Sequence, residues 1–391
     1  MSQMKIKPVN DETTARAFLQ VHVTLNQDKE GWIQPLDKDI EDIFSPEKNK
    51  AFRFGEAIRW VMEDEQGRLT GRIAAFVNKR YKTMGDDFPV GGVGFFDCVD
   101  DQAAADLLFD TAKAWLAERG MEAMDGPINF GDRDRWWGLQ VEGFVDPPFG
   151  MAYNPPYYKT LFENYGFLPF FHQICFGLDV QGTTLKSKFH ARHAAIAADP
   201  AFEARHLRKD QLDKFAGDFV TVYNKAWAGH GGNKEMSREQ AVLIFRKMKP
   251  VMDEEIVWFV YHNNEPIACW LNLPDLNQYF KHMHGKFGLL QKLQFLWLKM
   301  TGACRKFTGL VFGVVPEFQG KGVDSYMIVE GAKVIQPRKR YDQYEMQWVG
   351  DWNPKMLNVA ESLGGFHSRK LTTFRYLFDR QREFKRHPML Q

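Results

Sequence analysis

Gln319-Gly320-Lys321-Gly322-Val323-Asp324 is the segment whose residue types and spacing speak most directly to chemistry. An apolar run through Val314 and Val315 leads into it, and a helical pattern begins at Val323. A glycine turn in that setting points several main-chain N–H groups into one concavity, at the positive end of a helix dipole. Glycines are needed because side chains would hold a phosphate away from the amides. Lys321 adds a mobile cation, so a diphosphate-bearing ligand is the natural guest. The competing reading is a plain strand–helix turn that binds nothing, which a bare Gly-x-Gly often is. Pro316, where the strand must break, and the order of glutamine, glycines and helix start weigh against it.

Two further residues stand out as proton carriers. Glu345 sits in the otherwise apolar strand 344–349, where a carboxylate is costly unless it is paired or used. Burial there would raise its pKa toward the range of a general base. The bland reading is a structural carboxylate bonded to backbone or to an arginine. His282, with His284, flanks an insertion and is the second candidate. Cys98, Cys175, Cys269 and Cys304 show no zinc-type spacing, no metal is expected, and reduced buried thiols in a cytoplasmic protein explain them.

The elements that must position these residues are α/β in kind. At 391 residues the chain exceeds one ordinary core and favours two domains. A formal net charge of +1 gives no global pull toward nucleic acid, and none is expected as a partner. The first half reads as strand 4–9, helix 11–22, strands 57–63 and 68–77, strand 93–98, helix 101–119, helix 157–165 and strand 167–178. The second half repeats that order: strand 202–207, helices 209–227 and 237–249, strands 256–261 and 266–273, strand 307–315, helix 323–335, strand 344–349, helix 354–363, then a final strand pair after Gly364-Gly365. Domains are expected at 1–180 and 201–391, with 181–200 as a polar connection. Within the first domain the aromatic, Gly- and Pro-rich stretch 129–158, with Trp136-Trp137 and Tyr157-Tyr158, reads as a lid or acceptor-site wall, or equally as a packed surface loop.

The loop 319–324 resembles the pyrophosphate loop of the GNAT-type acyltransferase superfamily, whose pattern is Gln or Arg, two residues, Gly, one residue, then Gly or Ala. Asp324 departs from it at the last position. Glu345, Trp348, Asn353 and the Gly364-Gly365 pair resemble a bacterial branch that reads roughly E-L-x-W-[IV]-x-x-N and ends in L-G-G. The resemblance implies two tandem GNAT-like domains, each a mixed, mostly antiparallel sheet flanked by helices (α+β by some schemes). It implies acetyl-CoA or a longer acyl-CoA as co-substrate, held by Val314, Val315, Gln319, Gly320, Lys321, Gly322, Val323, Asp324 and Asn353. The first half echoes the tail of the pattern at 154–167 but carries Val99-Asp100-Asp101 in place of the loop, so it reads as a degenerate copy. The family's usual thiol acid, a tyrosine seven residues after the asparagine, is missing, because Ala360 stands there.

The resemblance points first to an N-acyltransferase moving an acyl group from coenzyme A to a primary amine whose identity the sequence leaves open. A tRNA-dependent aminoacyltransferase of Fem type and a non-catalytic acyl-CoA-binding module are the alternatives. From Leu276 to Pro316 there are six Lys or Arg residues and no acid. Within that span Leu289, Leu290, Leu293, Leu296, Trp297 and Met300 share one helical arc, with Phe295 and Leu298 interrupting the other. This is the pattern of a helix lying on anionic lipid, which would make 281–306 a peripheral membrane contact of a cytoplasmic protein at the inner membrane face. A core-packing helix with a solvated polar side is the alternative.

Overall fold

Strands form where β-branched and aromatic residues alternate between turn-forming residues, and helices where an apolar stripe follows a capping side chain. The computed structural model describes residues 4–83, 85–131, 137–182, 185–227 and 235–389. Trp136 and two residues of the connecting segment, 183 and 184, lie outside the described residues. The first half contains β1 (Lys5–Pro8), α1 (Glu12–Asn26), α2 (Asp37–Phe44), β2 (Gly55–Glu63), β3 (Leu69–Asn78), β4 (Val90–Cys98), α3 (Gln102–Ala117), β5 (Ala123–Gly126), β6 (Leu139–Glu142), α4 (Tyr158–Tyr165) and β7 (Leu168–Asp179). After α5 (Ser187–Ala197) come β8 (Phe202–His206), α6 (Leu212–Trp227), α7 (Arg238–Met248), β9 (Trp258–His262) and β10 (Glu265–Pro274). The chain continues through α8 (Asn277–Phe280), α9 (Leu289–Met300), β11 (Lys306–Val314), α10 (Val323–Arg338), β12 (Gln343–Gly350), α11 (Pro354–Ser362) and β13 (Phe366–Leu377).

All thirteen strands share one sheet, in the order β1-β2-β3-β4-β5-β13-β7-β12-β11-β10-β9-β8, with β6 also on β13. Two neighbouring pairs are parallel, β4 with β5 and β11 with β12, one in each half. The other pairings described are antiparallel. The element order repeats, as duplication would require.

The end of the chain departs from expectation. Among the described residues no strand pair follows Gly365; β13 is a single strand of 12 residues, with no glycine, proline, asparagine or aspartate inside it. It pairs with β7 on one edge and with β5 and β6 on the other. β7 in turn pairs with β12. Each half thus receives a strand from the other. Phe374 and Tyr376 of β13 pack with Leu108, Phe109 and Phe162 in the first core, and Phe176 of β7 packs in the second. The four-residue strands β5 and β6 are too short to show a period, and α2 is an eight-residue helix with no side-chain cap to mark its start. The four cysteines are free and buried. Among the described residues no helix is long and apolar enough to cross a membrane.

Because β13 lies between β5 and β7 with Leu371, Thr373 and Phe374 fully buried, its removal should cost both halves. A chain ending at Gly365 is expected to show no cooperative thermal transition by circular dichroism. A soluble, cooperatively melting first half in that truncation would contradict the exchange.

Candidate functional site

The site begins with a failure of two strands to stay together. β11 and β12 pair from Lys306↔Gln343 to Gly309↔Met346 and then part. β11 continues on β10 as far as Ala268↔Val314, while β12 follows β7 to Gly350↔Gln173. Between them opens a cavity of about 390 Å³ whose walls include Tyr223, Trp227, Phe312, Tyr344, Trp348 and Trp352. Glycines allow the rings in: a Cβ at Gly309 would stand 2.2 Å from the Tyr344 hydroxyl, and one at Gly313 would stand 2.0 Å from Trp227.

Main-chain donors face this gap. The Val315 amide donates to Ile267 O at 2.9 Å. Amide directions alternate along a strand, so those of Phe312 and Val314 point to the open edge. Val315, expected as a ligand, therefore has its N–H committed to β10 and its side chain buried. Gln319 braces the turn by donating from Nε2 to Val314 O at 2.9 Å.

Past a 3₁₀ turn at Pro316–Phe318 the chain reaches Gly320 and Gly322, with φ of +73° and +92°. Only glycine adopts these angles without strain. Gly322 is the N-cap of α10 and offers no side chain to its first-turn amides. Lys321 N reaches Phe318 O at 3.4 Å. The amides of Gly320, Gly322, Val323 and Asp324 have no protein acceptor among the described residues, and the Asp324 carboxylate does not fold back onto them. The Ser325 hydroxyl, in the same turn, is buried and unpartnered among the described residues. Lys321 Nζ rests 5.4 Å from the centre of the Phe318 ring. The stem of Arg192, from α5, lies over Gly322, 3.2 Å from where its Cβ would be. Its exposed guanidinium has no ion-pair partner among the described residues. That second cation was invisible in the sequence, because α5 comes from the connecting segment.

The other half closes the equivalent place. At the head of α3 the N-cap is Asp101, whose carboxylate accepts from Ala104 N at 2.9 Å.

No family model matches the chain. It is 25% identical over 372 residues to the bacterial ceramide synthase of Caulobacter vibrioides (strain NA1000 / CB15N), covering 94% of this chain and 95% of that relative. It is 23% identical over 359 residues to Protein YghO of Escherichia coli (strain K12), covering 89% of each. A solved tandem GNAT protein from the clavulanic acid biosynthesis pathway matches with a TM-score of 0.55, over 96% of this chain and 99% of its own, at 11% identity. The chain has a tandem GNAT fold.

In this GNAT fold the remaining expected residues fall in different places. Asn353 caps α11 through Met356 N at 3.3 Å and also lines the β11–β12 cavity. His282 is exposed on the turn between α8 and α9 and lines neither that cavity nor the smaller one beside Lys306. Glu345 is buried, but in company. Arg369 Nε meets Oε1 at 2.5 Å and its Nη2 meets Oε2 at 3.1 Å. Ser368 Oγ donates to Oε1 at 2.9 Å, and Lys306 Nζ bonds Oε2. Burial pushes this carboxyl up, yet the Arg369 and Lys306 cations outweigh it and hold the pKa below the ordinary value. The expectation of a raised pKa is thus overturned, since two cations arrive from distant strands.

Two groups escaped the sequence reading. Asp275, just past β10, lies 3.8 Å from Lys306 and is raised above the carboxylate range, chiefly by burial. It lines a cavity of about 170 Å³ between the halves. Tyr344 lines the splay itself, accepts from Trp270 Nε1 at 3.3 Å, and has its pKa pushed up to about 12 by burial. Its hydroxyl proton has no acceptor among the described residues. In the sequence Tyr344 is one residue of a strand pattern, and nothing local shows that its ring turns into the gap.

Glu345, with a folded pKa below its unfolded one, contributes stability above about pH 4.3 that is lost as pH falls through the folded pKa. Glu345→Gln strands two buried cations and should cost about 3–5 kcal/mol at neutral pH in urea unfolding. It should also flatten the acid limb of the stability profile. A variant as stable as the parent at pH 7 would contradict this role.

Proposed function

We propose that the chain is an acyl-CoA-dependent N-acyltransferase that moves an acyl group from coenzyme A to a primary amine. The observation that carries the reading is the parting of β11 from β12 at an aromatic cavity, with β11 running on from that gap to the uncapped, glycine-built head of α10. The amides of Gly320, Gly322, Val323 and Asp324, with Lys321 and Arg192 beside them, suit a diphosphate. Coenzyme A would supply the activated thioester. The outward amides of Phe312 and Val314 suit a pantetheine arm or a developing oxyanion along the strand edge.

In this reading the amine nitrogen bonds to the thioester carbonyl carbon as the C–S bond breaks. Tyr344 hands its proton to the departing sulfur, taking the role left vacant where Ala360 stands, and the proton released by the amine restores the tyrosine. Glu345 keeps Lys306 and Arg369 in place and does not itself accept the amine proton. The aromatic lining and the basic, apolar insertion favour a long acyl chain and a lipid-linked amine. The name of the Caulobacter relative fits this class, ceramide being the amide of a fatty acid and a lipid amine. We place the enzyme in the cytoplasm, meeting lipid at its own basic helix.

The test is acyl transfer with radiolabelled acetyl-CoA and palmitoyl-CoA on short-chain and long-chain amines. Turnover of palmitoyl-CoA with a long-chain amine is expected. Tyr344→Phe should lower kcat by roughly 100-fold or more while leaving KM for the acyl-CoA unchanged. Parent-like kcat in that variant would remove Tyr344 as the acid, and preference for acetyl-CoA over every long chain would remove the lipid assignment.

A further inference from the structure

The helix α9 docks by the opposite side from the one its sequence suggests. Phe295 and Leu298 are its buried residues, with Phe295 packed edge-on against Tyr279 and Phe287. The apolar arc lies on the far side. Leu289, Leu290, Leu293, Leu296, Trp297 and Met300 are between 54% and 86% exposed. A contiguous apolar surface of this kind marks a contact with something else, since monomers rarely expose such a patch beyond roughly a few hundred Å².

A loop of the first half, with Phe144, Val145 and Phe149 exposed, meets the docked side of α9 instead, through ring contacts from Phe149 to Phe280, Phe287 and Phe295. Lys292 stands on α9 itself and Lys281 and Lys286 on the turn that leads into it. All three are exposed and without a salt-bridge partner among the described residues, though Lys286 also feels the Asp37 carboxylate. No acidic residue occurs from Leu276 to Pro316. We infer that α9 is a docking face that inserts its leucines and Trp297 into the surface of an anionic bilayer while the three lysines meet the head groups. Charge selects this occupant over a second copy of the chain, because a two-fold pairing would set the same three lysines against one another.

Membrane binding in this sense stands on exposure and charge alone. Its use, to let the enzyme meet a lipid-linked amine at the bilayer, rests on the acyl-transfer reading. The test is co-sedimentation of the full chain with vesicles of phosphatidylcholine, with and without phosphatidylglycerol, at several salt concentrations. Binding to the anionic vesicles that weakens with salt is expected. Leu293→Glu with Trp297→Glu should reduce it by about tenfold or more, and Lys286→Glu with Lys292→Glu should remove the preference for phosphatidylglycerol. Unchanged melting temperature and coenzyme A binding in each variant separate loss of docking from loss of fold or of the carrier site. Absence of vesicle binding by the parent at low salt would overturn the inference. So would a concentration-dependent dimer in sedimentation velocity that the Leu293 and Trp297 changes abolish without vesicle binding having been present.

Discussion

Two parallel strands can share a ladder only while their directions agree, and β11 and β12 agree for four residue pairs. Beyond Gly309 each strand follows its other neighbour, β10 on one side and β7 on the other, and the sheet opens. The aromatic cavity and the unpaired edge at Phe312 and Val314 both follow from that parting. The glycines at 309 and 313 make it possible, because rings from Tyr344 and Trp227 occupy the volume their side chains would need.

The two halves then differ in one local decision. At the head of α3 a carboxylate, Asp101, takes up a first-turn amide, that of Ala104; at the head of α10 a glycine with φ of +92° provides no such cap. A capped helix needs no anion, whereas an uncapped one presents donors and a dipole to whatever anion fits. The shared sheet keeps the closed half useful. It receives β13 and lends β7, so the second core is completed by residues of the first.

How much of this the sequence carries depends on how local each cause is. The loop 319–324 is legible because strand end, glycines and helix start are consecutive residues. The state of Glu345 is not, since Arg369 lies 24 residues away and Lys306 lies 39 away on strands whose pairing is decided by the whole sheet. The same holds for β13, whose neighbours β5 and β7 belong to the other half. The orientation of α9 fails for a related reason: an amphipathic wheel shows two sides, but which one docks depends on whether Tyr279 and Phe287 offer a seat to Phe295. Arg192 is hidden in the same way, by a helix that returns over Gly322.

The most direct measurement is the response of glycine amides to coenzyme A, read by nuclear magnetic resonance on glycine-labelled protein. The Gly320 and Gly322 N–H resonances should move on titration while those of Gly92 and Gly94, on the corresponding strand of the first half, stay where they are. Movement confined to the first half, or none at either loop glycine at saturating coenzyme A, would contradict a carrier bound at the head of α10.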